Sequence, residues 1–242
     1  MSTTIFILVI IFVATLVRST FGFGESLIAV PLLILFIPTE IAVPLSVLLS
    51  ITIAAIVVVQ DYRQIHFGSA KWLVLFAIPG IFLGLLVIIH GNEHWVKSAL
   101  GLLIILYSLY SLLGKKTFKL KTDNKYWLFI CGFLSGVFGG AYGLNGPPLV
   151  VYGNMRNWSS QHFRATLQAY FLPASIIGMF GYWYHGLWTP TVTHYFLISL
   201  PVIIPATLLG RYFNRKLKNA SFFNYIFFVL ILIGLILIFQ NR

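Results

Sequence analysis

Two apolar stretches of the chain are interrupted by glycine, proline and polar residues that could bind an anion. The first contains Gly22 and Gly24, followed directly by Glu25 and Ser26. Hydrocarbon offers no hydrogen-bond partner to a broken backbone, so a break inside a membrane must line something polar. A helix that restarts after the break presents unpaired N–H groups and a partial positive charge, which suit a small anion. We therefore predict that these residues form half of a substrate-binding site.

The second interruption, at residues 138–152, predicts the other half of this site. It supplies Gly140, Gly143, Asn145 and Gly146. Asn145 could cap the short helix that follows or donate its side-chain amide to the substrate. The alternative is that the glycines only permit close helix crossing, as small residues do in membranes. Glycine and proline cluster twice at matching positions, and this favours the site.

Ionisable residues at membrane depth are costly, so Arg18 and Glu25 are functional candidates. They either pair with each other and hold a hairpin, or contribute to the anion site with Glu25 as carrier of a coupling proton. Arg164 and Gln168, near the start of a later apolar segment, are further substrate-binding candidates. The Arg164 guanidinium could bind an oxyanion through two hydrogen bonds, or it could anchor the helix end at the interface.

Other polar residues are assigned structural roles. We expect the hydroxyls of Ser46, Ser50 and Thr52 to bond carbonyls of their own helix. His90 and His94 lack the HExxH spacing of a metal site. The chain also has no paired acids, phosphate loop or nucleophile motif. The sequence therefore predicts neither an enzyme nor a bound metal or cofactor.

Composition predicts an integral membrane protein. The 242 residues are 59% hydrophobic and 9% charged, whereas soluble proteins average about 25% charged residues. The net charge is +11, and the lysine and arginine residues responsible for it lie between apolar segments. In such positions they indicate membrane topology and not nucleic-acid binding. The single cysteine, Cys131, lies in an apolar run and is expected to be a packed thiol. Residues 1–17 lack a cleavage signal, and we expect an uncleaved membrane segment there.

Segment lengths divide the chain into crossing and non-crossing parts, since a helix needs roughly 20 apolar residues to span the hydrocarbon core. Crossing segments are predicted at 41–60, 72–90, 96–113, 162–184, 192–210 and 222–240. The segments flanking the two interruptions, at 4–17, 26–37, 127–137 and 144–152, are too short to cross alone. Each such pair is either a re-entrant hairpin or two discontinuous helices, and both alternatives return the chain to the same side.

Counting crossings gives a strong charge asymmetry. One side receives Arg63, Lys71, Lys115, Lys116, Lys119, Lys121, Lys125, Arg156, Arg164, Arg211, Arg215, Lys216 and Lys218, and the other receives Lys97 and Arg242. The positive-inside rule makes the first side cytoplasmic and both termini external, in a bacterial inner membrane.

The two halves also repeat each other. With an offset of 117, Phe21, Gly22, Leu27, Pro31 and Leu32 match Phe138, Gly139, Leu144, Pro148 and Leu149; with an offset of 122, Leu75 and Pro79 match Leu197 and Pro201. We predict an all-α membrane protein with two inverted-topology repeats, each a discontinuous or re-entrant helix pair plus three transmembrane helices. The repeats are residues 1–113 and 127–242, joined by a basic cytoplasmic linker at 114–126.

At these motifs the chain resembles the TauE/SafE family of sulfite exporters. The resemblance is carried by residues 22–24 and 27–33 in the first half, and by 132–140 and 146–149 in the second. It implies a transporter of small anions, usually sulfur oxyanions or organosulfonates and often exported. The family commonly has glycine where this chain has Glu25 and Ser26, which predicts a more polar first half-site. Residues 163–166 resemble a subset of the family and so favour a role for Arg164.

The sequence thus predicts a secondary transporter that exports a small anion, such as sulfite or sulfoacetate, by alternating access. Alternatives are an anion channel on the same scaffold or a permease for a small carboxylate. An intramembrane enzyme or a structural membrane partner is a third class, and the lack of a nucleophile and base argues against the enzyme. The predicted partners are the anion, the lipid bilayer and a coupling proton or ion, without nucleic acid. A homodimer is left open.

Overall fold

The computed structural model describes residues 2–113, 119–216 and 221–239, which contain ten α-helices. These are α1 (Ser2–Phe21), α2 (Glu25–Ile34), α3 (Thr39–Asp61), α4 (Phe67–His90), α5 (Glu93–Leu112), α6 (Lys125–Tyr142), α7 (Gly146–Met155), α8 (Ser160–Tyr184), α9 (Pro190–Lys216) and α10 (Ser221–Phe239). Several residues named in the topology prediction lie outside the described residues: Lys115, Lys116, Lys218, Gln240 and Arg242.

Five of the described helices are long and apolar enough to cross a membrane: Thr4–Phe21, Thr39–Gln64, Phe67–His90, Glu93–Leu112 and Pro190–Asn214. The prediction that the first segment ends at Val17, too short to cross, is wrong. The helix continues through Arg18 because polar side chains from other helices surround that residue. Helix α8 is 25 residues long, but it is less apolar than the members of this set.

Helices α1 and α2 form a hairpin around a broken turn. Gly22 and Gly24 have φ angles of +88° and +100°, a left-handed backbone that glycine adopts without strain. At the other end of the hairpin, the Phe6 and Phe36 rings stack with centroids 5.8 Å apart. The chain therefore returns to the level at which it began. We call residues 22–24 the first tip.

Helices α6 and α7 form a second hairpin of the same kind. Its turn contains Gly143 with a φ of +68°, and we call residues 143–145 the second tip. The Leu120 N–H donates to the Met155 carbonyl at 2.7 Å, and Arg156 Nε donates to Asp123 Oδ1 at 2.8 Å. These bonds join the start of α6 to the end of α7. Both short pairs are thus helical hairpins.

The two halves correspond at a spacing different from the one read in the sequence. Helices α2 and α7 begin at Glu25 and Gly146, and α3 and α8 begin at Thr39 and Ser160, which gives a spacing of 121 in both cases. This spacing differs from the offset of 117 at which the residues around the two breaks match. A slip of about one helical turn keeps the same face, so an apolar pattern rich in glycine matches almost as well at either spacing.

Helix pairs hold the hairpins in place: α4 packs against α6, α1 against α9, α3 against α8, and α5 against α10. The two hairpins contact α8 near its opposite ends. Arg164 Nε donates to the Ser19 carbonyl at 2.8 Å, and the Tyr182 hydroxyl donates to the Gly140 carbonyl at 2.6 Å. These contacts are about 27 Å apart along α8, by the rise of a helix.

Candidate functional site

The two tips meet and enclose a small recess. A Cβ atom on Gly146 would lie 3.7 Å from the Phe23 side chain, and one on Gly143 would lie 4.0 Å from Ser26 Oγ. The residues that line this central recess are Arg18, Phe23, Gly24, Glu25, Ser26, Leu27, Ser50, Gly143, Leu144, Asn145, Gly146, Pro147 and Phe171. Gly24, Gly143, Gly146 and Pro147, from both interrupted stretches, therefore face a shared space.

Most of the predicted site residues are brought together here: Arg18, Gly24, Glu25, Ser26, Gly143, Asn145 and Gly146. The remaining predicted residues lie behind the lining: Gly22, Gly140, Arg164 and Gln168. Gly22 packs directly on α8, since a Cβ atom there would lie 2.8 Å from Arg164 Cα. The Gly140 carbonyl accepts the Tyr182 hydroxyl.

Arg18 is held from several helices. Its Nη1 donates to Glu25 Oε2 and to Ser50 Oγ, both at 2.9 Å. Its Nη2 and Nε donate to Gln168 Oε1 at 2.9 and 3.2 Å, and its guanidinium lies 4.7 Å from the centre of the Phe171 ring. The side chain is only 3% exposed. A buried guanidinium requires such a set of partners, because an unpaired charge in low dielectric is very costly.

Glu25 is bound as firmly as Arg18. Besides the Arg18 ion pair, Oε2 accepts from Ser26 Oγ at 3.0 Å and Oε1 accepts from Ser46 Oγ at 2.8 Å. Glu25 is 1% exposed and opens the first turn of α2, where the helix dipole favours a negative charge. Arg18 and Glu25 therefore do pair with each other, and they do so on the wall of the recess.

The expected role of the α3 hydroxyls is only partly right. Thr52 bonds the Leu48 carbonyl of its own helix, as predicted. Ser46 and Ser50 instead bond Glu25 and Arg18, and Ser50 also bonds Ser175 at 3.0 Å. The available sequence signal was their spacing of one helical turn, which places both hydroxyls on one face of α3.

The second tip offers different chemistry. Asn145 precedes α7 without capping it, it is 7% exposed, and its Oδ1 is buried with no partner in the described part of the chain. Its side chain fits because residue 139 is glycine, where a Cβ atom would collide with Asn145 Oδ1. Pro147 and Pro148 lack backbone N–H groups, so the first turn of α7 presents few amides. At this tip the Asn145 side chain is the main polar group.

Arg164 is engaged away from the recess. Its Nη1 bonds Asp61 Oδ2, and Asp61 Oδ1 also accepts from Arg211 at 2.9 Å. Gln168 spans the distance between these regions, because its Nε2 donates to the Gly22 carbonyl at 2.8 Å while its Oε1 accepts from Arg18. Arg164 and Gln168 thus support the first tip from α8.

A polar cluster lies at the base of the second hairpin. Burial alone would raise the pKa of Asp123, but hydrogen bonds from Ser69 and Tyr152 and the nearby Arg156 reverse this, so its pKa lies below the ordinary value. Burial lowers the pKa of His66, and the charges of His162 and Arg156 act in the same direction, while Asp123 opposes them. The His66 and His162 rings lie 4.6 Å apart.

The apolar helices and the buried polar recess define an all-α, multi-pass membrane protein. The family model described as sulfite exporter TauE/SafE matches residues 7–237, and the chain therefore belongs to that family. This confirms the resemblance drawn from the glycine and proline motifs. The family's description is that of an exporter, which is a class of transporter.

A relative from Cupriavidus necator (strain ATCC 17699 / DSM 428 / KCTC 22496 / NCIMB 10442 / H16 / Stanier 337), named probable sulfite/organosulfonate exporter TauE, is 29% identical over 164 residues. The matched region is 65% of this chain and 62% of the relative. No solved structure matches the chain.

Proposed function

We propose that the protein is a secondary transporter that exports a small anion by alternating access and binds it in the central recess. The substrate class is a sulfur oxyanion or organosulfonate, such as sulfite or sulfoacetate. The observation that carries this proposal is the meeting of two broken helices around a buried space that contains a guanidinium, hydroxyls and an amide. Family membership and the name of the Cupriavidus necator relative support the substrate class.

Each group in the recess has a role in this proposal. Arg18 supplies the positive charge, and Ser26 and the first amides of α2 supply hydrogen bonds. Gly24, Gly143 and Gly146 allow the anion to approach the backbone closely. The Asn145 amide donates from the opposite side. Glu25 is the candidate carrier of a coupling proton.

The residues outside the lining keep supporting roles. Gln168 orients Arg18, and Arg164 fixes the first tip through the Ser19 carbonyl. Gly22 and Gly140 allow the close contacts of the tips with neighbouring helices.

Alternating access follows from the proposed inverted repeat. If the second half repeats the first, α6 to α10 correspond to α1 to α5. The pairing of α1 with α9 then corresponds to the pairing of α6 with α4, while the pairings of α3 with α8 and of α5 with α10 each correspond to themselves. The hairpins also approach α8 from opposite ends. Both observations support two repeats, 1–113 and 127–242, that enter the membrane from opposite faces.

The proposed orientation places the polar cluster and the Asp61 cluster on the cytoplasmic side. Arg156 bonds Asp123 beside the start of α6, and Arg164 and Arg211 bond Asp61 at the end of α3. These contacts gather Arg156, Arg164 and Arg211 at one end of the bundle, in agreement with the positive-inside rule for a cytoplasmic face. In that orientation both termini are external.

A transport screen in proteoliposomes tests the proposal. The purified full chain is tested for uptake of sulfite, thiosulfate, sulfoacetate, taurine, acetate and phosphate. We expect a sulfur anion to be transported and Asn145→Ala to reduce that transport about tenfold, the effect of losing one good hydrogen bond. Asn154→Ala on the same short helix, exposed and outside the recess, is the matched control and keeps wild-type rates.

The same screen separates the alternative functions. Unitary currents without stimulation by substrate on the opposite side would identify an anion channel. Transport of acetate alone would identify a carboxylate permease. If no anion of the screen is transported, and none changes the unfolding temperature of the purified protein, the proposed function is wrong.

A further inference from the structure

The Glu25 carboxylate occupies the position that a bound anion would take. It accepts hydrogen bonds from Arg18 at 2.9 Å, Ser26 at 3.0 Å and Ser46 at 2.8 Å. It also lies at the start of α2, where the helix dipole favours an anion. The groups best suited to hold a substrate are thus already bound to a side chain of the protein. An anion that enters the recess must compete with Glu25.

The balance of charge around the pair limits the outcome of that competition. Arg18 is the only charged group that contacts Glu25 among the described residues. The other groups around the pair are uncharged hydroxyls and amides, from Ser46 and Ser50 on α3, Gln168 on α8, and Asn145 at the second tip. Two anions beside a single cation in a low-dielectric site repel strongly. Neutralising one of the two anions removes this cost.

Resting on the proposed anion site, we propose that the substrate displaces Glu25 from Arg18 and that Glu25 takes up one proton in the same step. The proton comes from the aqueous phase to which the recess is open, binds a Glu25 carboxylate oxygen, and returns to water when the anion leaves. Arg18 Nη1 passes from Glu25 to the substrate, while Gln168 keeps its hold on Nε and Nη2. The guanidinium therefore stays in place during the exchange.

This exchange selects a singly charged oxyanion. Of the two substrates named above, it favours sulfite in its hydrogensulfite form over sulfoacetate, which carries two negative charges at neutral pH. With Glu25 neutral, Arg18 balances one negative charge, and a dianion would leave an uncompensated charge in the recess. The loaded recess holds one substrate and one proton and has no net charge to move across the membrane. Export is then driven by the concentration gradients of the anion and of the proton carried with it, and the membrane potential contributes nothing because it acts only on net charge.

Proton uptake on binding tests the exchange directly. The probe is methanesulfonate, which stays ionised across the working pH range and so releases no proton of its own. In weakly buffered detergent solution with an indicator dye, wild type is expected to take up about one proton per bound anion near pH 7.5. The apparent Kd should rise about tenfold for each unit of pH above that value, as linkage to one proton requires.

Two substitutions sharpen the test. Glu25→Gln keeps a side chain of the same shape, and we expect it to bind methanesulfonate at least about tenfold more tightly, without proton uptake and without pH dependence. Glu40→Gln, an exposed acid in the first turn of α3, is the matched control and should behave as wild type.

The outcomes distinguish this inference from the proposed function. Anion binding by wild type without proton uptake, or with a Kd independent of pH, would overturn the exchange and leave the anion site intact. Proton uptake that persists in Glu25→Gln would also overturn it. If wild type binds neither methanesulfonate nor any anion of the transport screen, the proposed function itself fails. The pH series on wild type decides the point even if Glu25→Gln does not fold.

Discussion

The two hairpins share one shape but place their charges at opposite ends. In the first, the charged residues Arg18 and Glu25 lie almost fully buried on either side of the tip, and the base is apolar where Phe6 stacks on Phe36. The second has an uncharged tip and an ionic base, where Asp123 pairs with Arg156. These base residues remain partly exposed, with side chains 33% and 16% accessible. Forming an ion pair near the membrane surface costs little free energy of desolvation, whereas forming a buried pair costs much more.

This contrast indicates which hairpin holds the chemistry. At the structural spacing of 121, Arg18 corresponds to Gly139 and Glu25 to Gly146, so the second tip has no counterpart of the ion pair. The space opened at Gly139 is filled by the Asn145 side chain. The same fold thus presents a charged wall on one side of the recess and a neutral amide on the other. We expect the charged wall to determine charge selection and the amide to contribute orientation.

The largest expected effect comes from Arg18→Ala. The substitution leaves the Glu25 carboxylate buried without its cation, which typically costs about 3–5 kcal/mol. Thermal or denaturant unfolding in detergent measures this loss. The same truncation at the second tip, Asn145→Ala, should change stability by less than about 1 kcal/mol, since Oδ1 has no partner there to lose. Equal losses at both tips would contradict the comparison.

A smaller effect is expected from adding a methyl group at each tip. Gly22 and Gly143 both have positive φ, so alanine costs about 1–2 kcal/mol at either position. At Gly22 the new Cβ would also lie 2.8 Å from the Arg164 backbone, whereas at Gly143 it would meet a Val47 methyl at 3.2 Å. A side chain can shift and a helix backbone cannot.

Gly22→Ala should therefore lower the unfolding temperature more than Gly143→Ala. Gly146→Ala, whose Cβ would make only ordinary contact, serves as the control. The reverse order of Gly22 and Gly143 would show that the first tip is the less tightly packed one.

The smallest effect concerns pH at the base of the second hairpin. The folded pKa of His66 is lowered, so the unfolded chain binds more protons as the pH falls below about 6.5, and the folded state loses stability in that window. Asp123, with its lowered pKa, contributes stability above about pH 4 and loses it only below that value. Unfolding temperatures measured from pH 7.5 to 5.5 should fall slightly, and less in His66→Gln. A rise in stability on acidification would contradict this sign.

The sequence was most informative where it contains a pattern that a lipid-exposed helix cannot have. Glycine and proline inside apolar runs could not face hydrocarbon, and this located both tips without any knowledge of packing. Family membership followed from the same residues. The partners of Arg18 could not be predicted, because Ser50 and Gln168 come from helices whose mutual packing leaves no trace in periodicity. The sequence leaves Arg164 between two roles because its partner, Asp61, lies just outside the predicted segment 41–60.

Helix α8 contacts both hairpins, at Arg164 and at Tyr182, and Pro173 lies between the two contacts. Proline lacks the N–H group that would donate a backbone hydrogen bond to the preceding turn, so α8 bends most easily between Arg164 and Tyr182. Bending of α8 at this point would tilt one hairpin relative to the other, while each hairpin keeps its contact with its own half of α8. Because one helix contacts both hairpins, their movements would be coupled. Opening of the recess to one face of the membrane would then be accompanied by its closure to the other.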